Sequence, residues 1–211
     1  MKKLISTLFS LLFFIAVIHA QEKILWGAKA GYNYSASAFT TTVDVKTKPV
    51  HGGYIGIMMK VPFDNRLFFA PQMDVSYRGM STDSLQQNQF SNVTEFNLRV
   101  MPLLQFDFTN PSENANTVFV QFGPSIGFGL YGRQTKQNST GTPLKRNLKY
   151  GFQDYGRYEA NLHAGIGYET AGGFRVLLDY AHGLGNMINT DGGGALKYRT
   201  VSLGIGYWFG K

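Results

Sequence analysis

Acid–base chemistry in this chain would have to run through few groups. Cysteine is absent, which excludes thiol nucleophiles, thiolate-held metal and lipid attachment at a cysteine. Beyond the first twenty residues the histidines are His51, His163 and His182. His51 stands beside Gly52 and Gly53 with no local partner, His163 lies between Asn161 and Gly165, and His182 falls at a strand end. Hydrolysis needs a nucleophile within reach of a base that a third group orients, and the spacing suggests no such set. There is no HExxH-type pair, and Gly192-Gly193-Gly194 reads as a loop tip rather than a phosphate cradle. The expectation is a protein that is not an enzyme, without catalytic residues, metal ligands or cofactors.

The chemistry that remains is ionic. Lys29, Lys60, Arg78, Arg99, Arg157 and Arg175 fall on the polar parity of alternating segments, as do Asp74, Glu95, Asp107, Glu159, Glu169 and Asp179. If that parity faces a narrow interior, each charge is costly unless paired and hydrogen-bonded. Six cations against six anions therefore reads as a structural ion-pair network, with a proton or ion path as the sharper alternative. A second group, Arg133, Lys136, Lys145, Arg146 and Lys149, lies between Gly132 and Gly151 with Tyr150 and Phe152 adjoining. It is a candidate contact for the anionic sugars and phosphates of surface lipid, against the plain reading of a solvated loop. No nucleic-acid-binding motif accompanies these charges, so nucleic acid is not an expected partner.

The elements that must position these groups show in the alternation. From Leu67 to Gly79 one parity reads Leu67, Phe69, Pro71, Met73, Val75, Tyr77 and the other Phe68, Ala70, Gln72, Asp74, Ser76, Arg78. The same split runs from Phe96 to Phe108. Ile24–Tyr34, Gly53–Val61, Val118–Tyr131, Arg157–Thr170, Phe174–Leu184 and Thr200–Phe209 follow it, which makes eight strands. Their lengths suit a tilted membrane crossing of roughly 9 to 11 residues, where soluble strands average nearer five or six. No later segment offers the roughly 18 apolar residues of a transmembrane helix.

The connections alternate as well. Pro62–Arg66, Thr109–Thr117 and Ala171–Gly173 are short, whereas Ser35–Gly52, Met80–Glu95, Gly132–Gly156 and Gly185–Arg199 are long and polar. Short periplasmic turns and long external loops are the pattern of outer-membrane barrels. Greasy-parity aromatics cluster toward the long loops (Tyr32, Tyr34, Tyr77, Phe96, Tyr158, Tyr180) and toward the short turns (Trp26, Phe69, Phe106, Phe108, Tyr168, Phe174, Tyr207, Phe209). These read as two interfacial girdles. A soluble barrel of the lipocalin sort shares the period but reverses the faces. Strand length, the girdles and the polar-parity glycines (Gly123, Gly127, Gly129, Gly165, Gly167, Gly204, Gly206), which suit a cramped lumen, favour the membrane form.

The N-terminus agrees. Lys2 and Lys3 precede an apolar stretch from Leu4 to Ile18, and Ala20 is a small residue before a cut at Gln21, so residues 1–20 read as a cleaved signal peptide and 21–211 as the barrel domain. Removing the two lysines lowers the formal charge from +7 to +5. With 25 glycines and 15% aromatics, the composition fits turn-rich β structure rather than a helical bundle or a disordered chain.

Over nearly the whole mature chain the sequence resembles the Bacteroidota-type outer-membrane β-barrel family, which includes PorT-like and OmpX-like small barrels. The resemblance rests on Pro71-Gln72 leading to Tyr77-Arg78-Gly79, on Leu98-Arg99-Val100-Met101-Pro102-Leu103-Leu104, and on Gly123-Pro124-Ser125. Gly165-Ile166-Gly167 and Tyr180-Ala181-His182-Gly183-Leu184-Gly185-Asn186 complete it. The last strand, with Gly204, Tyr207 and Phe209, resembles the signal read by the barrel-assembly machinery. The resemblance implies an integral outer-membrane, multi-pass protein of structural or partner-binding type, an accessory of a secretion or envelope machine. Alternatives are a narrow ion or small-solute channel and an adhesion or defence barrel acting through its loops. The expected partners are outer-membrane lipid, the assembly machinery during insertion and a protein of an envelope complex.

Overall fold

The structure, a computed structural model, describes residues 24–40, 45–84, 89–109, 115–138, 143–151, 155–187 and 195–211. The expected signal peptide, Phe152 and the Gly192–Gly194 tip lie outside the described residues. Among the described residues there are ten strands: β1 (Leu25–Thr40), β2 (Val45–Lys48), β3 (Val50–Asp64), β4 (Leu67–Ser84) and β5 (Gln89–Asp107), then β6 (Thr117–Asn138), β7 (Leu144–Asn147), β8 (Tyr158–Glu169), β9 (Phe174–Gly183) and β10 (Ala195–Phe209).

Eight of them form the wall. β1, β3, β4, β5, β6, β8, β9 and β10 each pair antiparallel with the next, and β10 closes on β1 from Trp26 opposite Phe209 to Thr40 opposite Ala195. Closure leaves the wall without a free edge, which a backbone in lipid requires. The two short strands lie in the outer loops, β2 against β4 and β7 against β6. Pro49, which has no N–H to donate, separates β2 from β3.

The strands overrun the bounds that alternation alone suggests, mainly at the outer end; at the periplasmic end β3 continues past Val61 to Asp64. β1 continues past Tyr34 to Thr40, β4 past Gly79 to Ser84 and β6 past Tyr131 to Asn138, while β5 begins at Gln89 and β10 at Ala195. Many of the described residues of the four long polar loops thus belong to a paired rim. Above the membrane the outward face meets water instead of lipid, so the greasy–polar contrast fades while the backbone ladder continues. The turns at the other end are tight. Asn65 and Arg66 alone join β3 to β4, and Gly173, at φ 87°, takes the left-handed position in the β8–β9 turn.

One irregularity changes which residues face out. Phe96 pairs with Tyr131 but Asn97 pairs with Gly129, so Leu130 is an extra residue in β6. This bulge leaves Leu130 and Tyr131 both exposed and reverses the inward parity of β6 from odd to even beyond it.

The expected girdle aromatics point outward, and the polar parity points into the lumen. The lumen also holds rings. A Cβ on Gly204 would stand 2.0 Å from Tyr54 Oη, and one on Gly167 would stand 2.3 Å from the Phe119 ring. At these two positions glycine makes room for an aromatic inside the barrel.

Candidate functional site

The lumenal charges are arranged in three tiers along the barrel axis. At the periplasmic end, Lys60 Nζ lies 2.6 Å from Asp107 Oδ2 and 3.3 Å from Glu169 Oε1. The second oxygen of Glu169 accepts from Trp208 Nε1 at 2.8 Å. Arg175 donates to Gln105 at 3.2 Å and lies 4.1 Å over the Phe119 ring, and Gln105 in turn donates to Asp107 at 2.7 Å. In the middle tier, Arg99 donates through two nitrogens to the two oxygens of Asp74, at 2.7 and 3.0 Å, and Lys29 approaches Asp74 at 2.8 Å. In the outer tier, Arg78 donates to Glu95 at 2.9 and 2.7 Å, pairs with Glu159, and stacks 4.3 Å over the Tyr198 ring.

Adjacent strands supply these partners because register places them side by side, as with Asp74 opposite Arg99 and Arg78 opposite Glu95 on β4 and β5. Eleven of the twelve residues named from parity are buried. Arg157 is the exception and corrects the expectation. It is exposed, it precedes the first residue of β8, and its guanidinium lies over the rings of Phe128 and Tyr150. Before the strand begins, the pleat does not hold the parity. Lys211, which parity reasoning passed over, makes up the count: Gly210 turns at φ 76° and Lys211 Nζ reaches Glu169 Oε1 at 2.6 Å.

An apolar seal lies above the outer tier. Met80, Val93, Tyr155, Met187, Leu196 and Tyr198 form one buried cluster, and the Tyr155 and Tyr198 hydroxyls are 2.5 Å apart. Backbone bonds from Gly156 to Met187 and from Met187 to Leu196 tie the outer loops over it. Tyr150 packs against the cluster and donates to Glu95 at 3.4 Å. Its burial and the neighbouring carboxylate push the phenol up to about 12. Two voids beside the middle tier, lined in part by Lys29, Tyr54 and Gln72, measure about 10 Å³ each, room for a single water.

The fold brings together a set that spacing did not suggest. Ser125 Oγ lies 2.9 Å from His163 Nε2, and His163 Nδ1 lies 2.8 Å from Asp179 Oδ2. The three residues come from β6, β8 and β9, so no local motif announces them. This is the order of a nucleophile, a base and an orienter. Ser125, however, is 1% exposed, and the void beside His163 and Asp179 has no space for an acyl group. Asn161 Nδ2 also donates to Ser125 Oγ, at 3.3 Å. The set fits a hydrogen-bonded brace between three strands.

The other histidines sit at the outer girdle. His51 has no partner beside it in sequence, but β1 supplies one across the ladder: the Tyr32 hydroxyl bonds its Nδ1 and Tyr34 packs edge-on against its ring. His182 pairs with Tyr180 at 3.3 Å. Among the described residues no group of three His, Cys, Asp or Glu side chains could hold a metal ion.

The five cations of the third loop are all exposed, and they divide between the two faces of the β6–β7 ribbon rather than forming one cluster. Arg133 and Lys145 share the face that continues the outer wall, while Lys136 and Arg146 share the other. Lys149 follows the ribbon. On β10, Gly204 faces the lumen, while Tyr207 and Phe209 are exposed with their rings edge-to-face at 6.1 Å.

Among solved structures, the chain is similar to the attachment invasion locus protein Ail of Yersinia pestis (15% identity, TM-score 0.48, covering 89% of this chain and 100% of Ail). It is also similar to OprG of Pseudomonas aeruginosa (11%, 0.49, 88% and 95%) and to Neisserial surface protein A (9%, 0.45, 88% and 99%). No curated protein matches it in sequence. The family model for the outer membrane protein beta-barrel domain matches residues 19–189. With its closed eight-stranded wall and outward girdles, this chain belongs to the outer membrane protein beta-barrel domain family and is an integral outer-membrane β-barrel.

Proposed function

We propose that this barrel is non-enzymatic and acts through its surface, as a structural or partner-binding component of the envelope, in keeping with the resemblance to PorT-like proteins. The observation that carries this reading is the filled lumen. Three tiers of buried ion pairs, lumenal rings and an apolar outer seal occupy the space that a pore or a substrate would need. An eight-stranded barrel has an interior just wide enough for such filling. Recognition then falls to the rigid paired rim and the loops above it.

Two measurements test the reading. Reconstituted in a planar bilayer, the protein should give no resolved unitary conductance; steady steps abolished by Arg99→Ala would move it to the narrow-channel class. Tagged protein drawn from gently solubilised native outer membrane should bring a stoichiometric envelope protein with it. Elution alone would overturn the partner-binding half of the proposal.

A further inference from the structure

The bulge at Leu130 has a chemical consequence on the outside of the barrel. Without it, the odd positions of β6 would continue inward; with it, Gly132 turns to the lumen under Leu148 and Arg133 turns outward. From Val118 to Tyr131 a strand tilted by roughly 40° rises about 30–35 Å, enough to cross the hydrocarbon core. Tyr131, 46% exposed, therefore marks the outer interface, and Arg133 stands one outward row above it.

Arg133 is held in place. Its Nη2 donates to the Tyr131 hydroxyl at 3.2 Å, and that hydroxyl donates to Asn147 Oδ1 on β7 at 3.1 Å. Asn147 is directly opposite Arg133, and the next outward pair is Thr135 with Lys145. Diagonal neighbours on one face of a ribbon lie about 7–8 Å apart, so both cations can reach a single phosphate. From Tyr131 to Gly151 the chain has no acidic residue, and the nearby Glu95 and Glu159 are buried and engaged with Arg78. Arg133 and Lys145 make no ion pair among the described residues.

We propose that the outward face of the β6–β7 ribbon, centred on Arg133 and Lys145 above Tyr131, binds the phosphate of an outer-leaflet glycolipid. The acyl chains lie against the apolar wall below the girdle. The headgroup phosphate then comes level with a guanidinium that still has free N–H donors and whose planar fork matches phosphate oxygens. Lys145 adds a second charge one row higher. Lys136, on the opposite face, takes no part. This inference rests on membrane insertion and not on the proposed envelope role.

The test is native mass spectrometry of the detergent-solubilised full chain titrated with diphosphorylated lipid A and, separately, with the same lipid dephosphorylated. Wild-type protein should retain the phosphorylated lipid, and Arg133→Ala/Lys145→Ala should weaken retention about tenfold or more. Lys136→Ala should leave it unchanged, and Tyr131→Phe should weaken it less than the double change. Heat-dependent gel migration verifies that each variant is folded. Equal binding of the dephosphorylated lipid would overturn the proposal, because acyl adsorption alone would then explain retention. Equal loss in Lys136→Ala would overturn it as diffuse charge, and full displacement by millimolar inorganic phosphate would overturn the lipid as occupant.

Discussion

Lys211 Nζ lies 2.6 Å from Glu169 Oε1, joining the second residue after the last strand to the end of β8 at the periplasmic mouth. The same carboxylate receives Lys60 and Trp208, so three elements meet on one side chain. Breaking a buried pair by removing one partner costs about 3–5 kcal/mol, because the other charge stays desolvated. Glu169→Gln should lose that much unfolding free energy, read from urea titration of the heat-modifiable band. Lys211→Ala should lose less, since its side chain is 18% exposed and water can replace it around Glu169. Equal losses would contradict this arrangement.

Gly204 on β10 and Tyr54 on β3 form a packing pair over Gly31 of the intervening β1. Gly204→Ala places a methyl where Tyr54 Oη now sits and should cost about 1–3 kcal/mol as overpacking. Adding Tyr54→Phe removes the clashing oxygen and should recover most of the loss. A double variant no more stable than Gly204→Ala, measured by the same unfolding assay, would disprove the pairing.

The Ser125–His163–Asp179 set should behave as a brace and not as a nucleophile. A fluorophosphonate probe should leave the folded protein unlabelled, and Ser125→Ala should cost about 1 kcal/mol, the usual net worth of one hydrogen bond. Asp179→Asn should cost more, because it also affects His163. Stoichiometric labelling at Ser125 would reopen the enzymatic reading.

Tyr150 gives the outer seal an alkaline limit. Its phenol titrates at about 12 in the folded protein and near 10 in an unfolded chain. Between those values the folded state holds a proton that the unfolded state has lost, so this contribution falls as the pH rises from about 10 through about 12. Tyr150→Phe should flatten the alkaline arm of the stability profile. An unchanged arm would show that Tyr150 is not shielded beside Glu95.

Much of this molecule follows from local pattern. Alternation marks the eight wall strands and both girdles because a strand between lipid and a narrow lumen must change chemistry at every residue. The same parity assigns Asp74, Arg78, Glu95 and Arg99 to the interior. The outer rim was not legible, because there the outward face meets water while Met80, Val93 and Leu196 pack inside, so the greasy-out, polar-in alternation lapses. Pairing alone reveals that β4 and β5 continue to Ser84 and Gln89.

What tertiary structure decided are the relations between distant strands. Arg157 left the lumen because the pleat starts after it, and Lys211 entered because Gly210 turns the chain inward. One inserted residue at Leu130 sent Arg133 outward, a reversal that composition does not record. Ser125, His163 and Asp179 meet because the β6–β8–β9 register sets each one diagonal step from the next. The sequence by itself determined which face of each strand meets lipid, since that depends on neighbours two residues apart. Which charges, hydroxyls and rings touch depends on register, bulges and barrel closure, which are settled only when all eight strands pair.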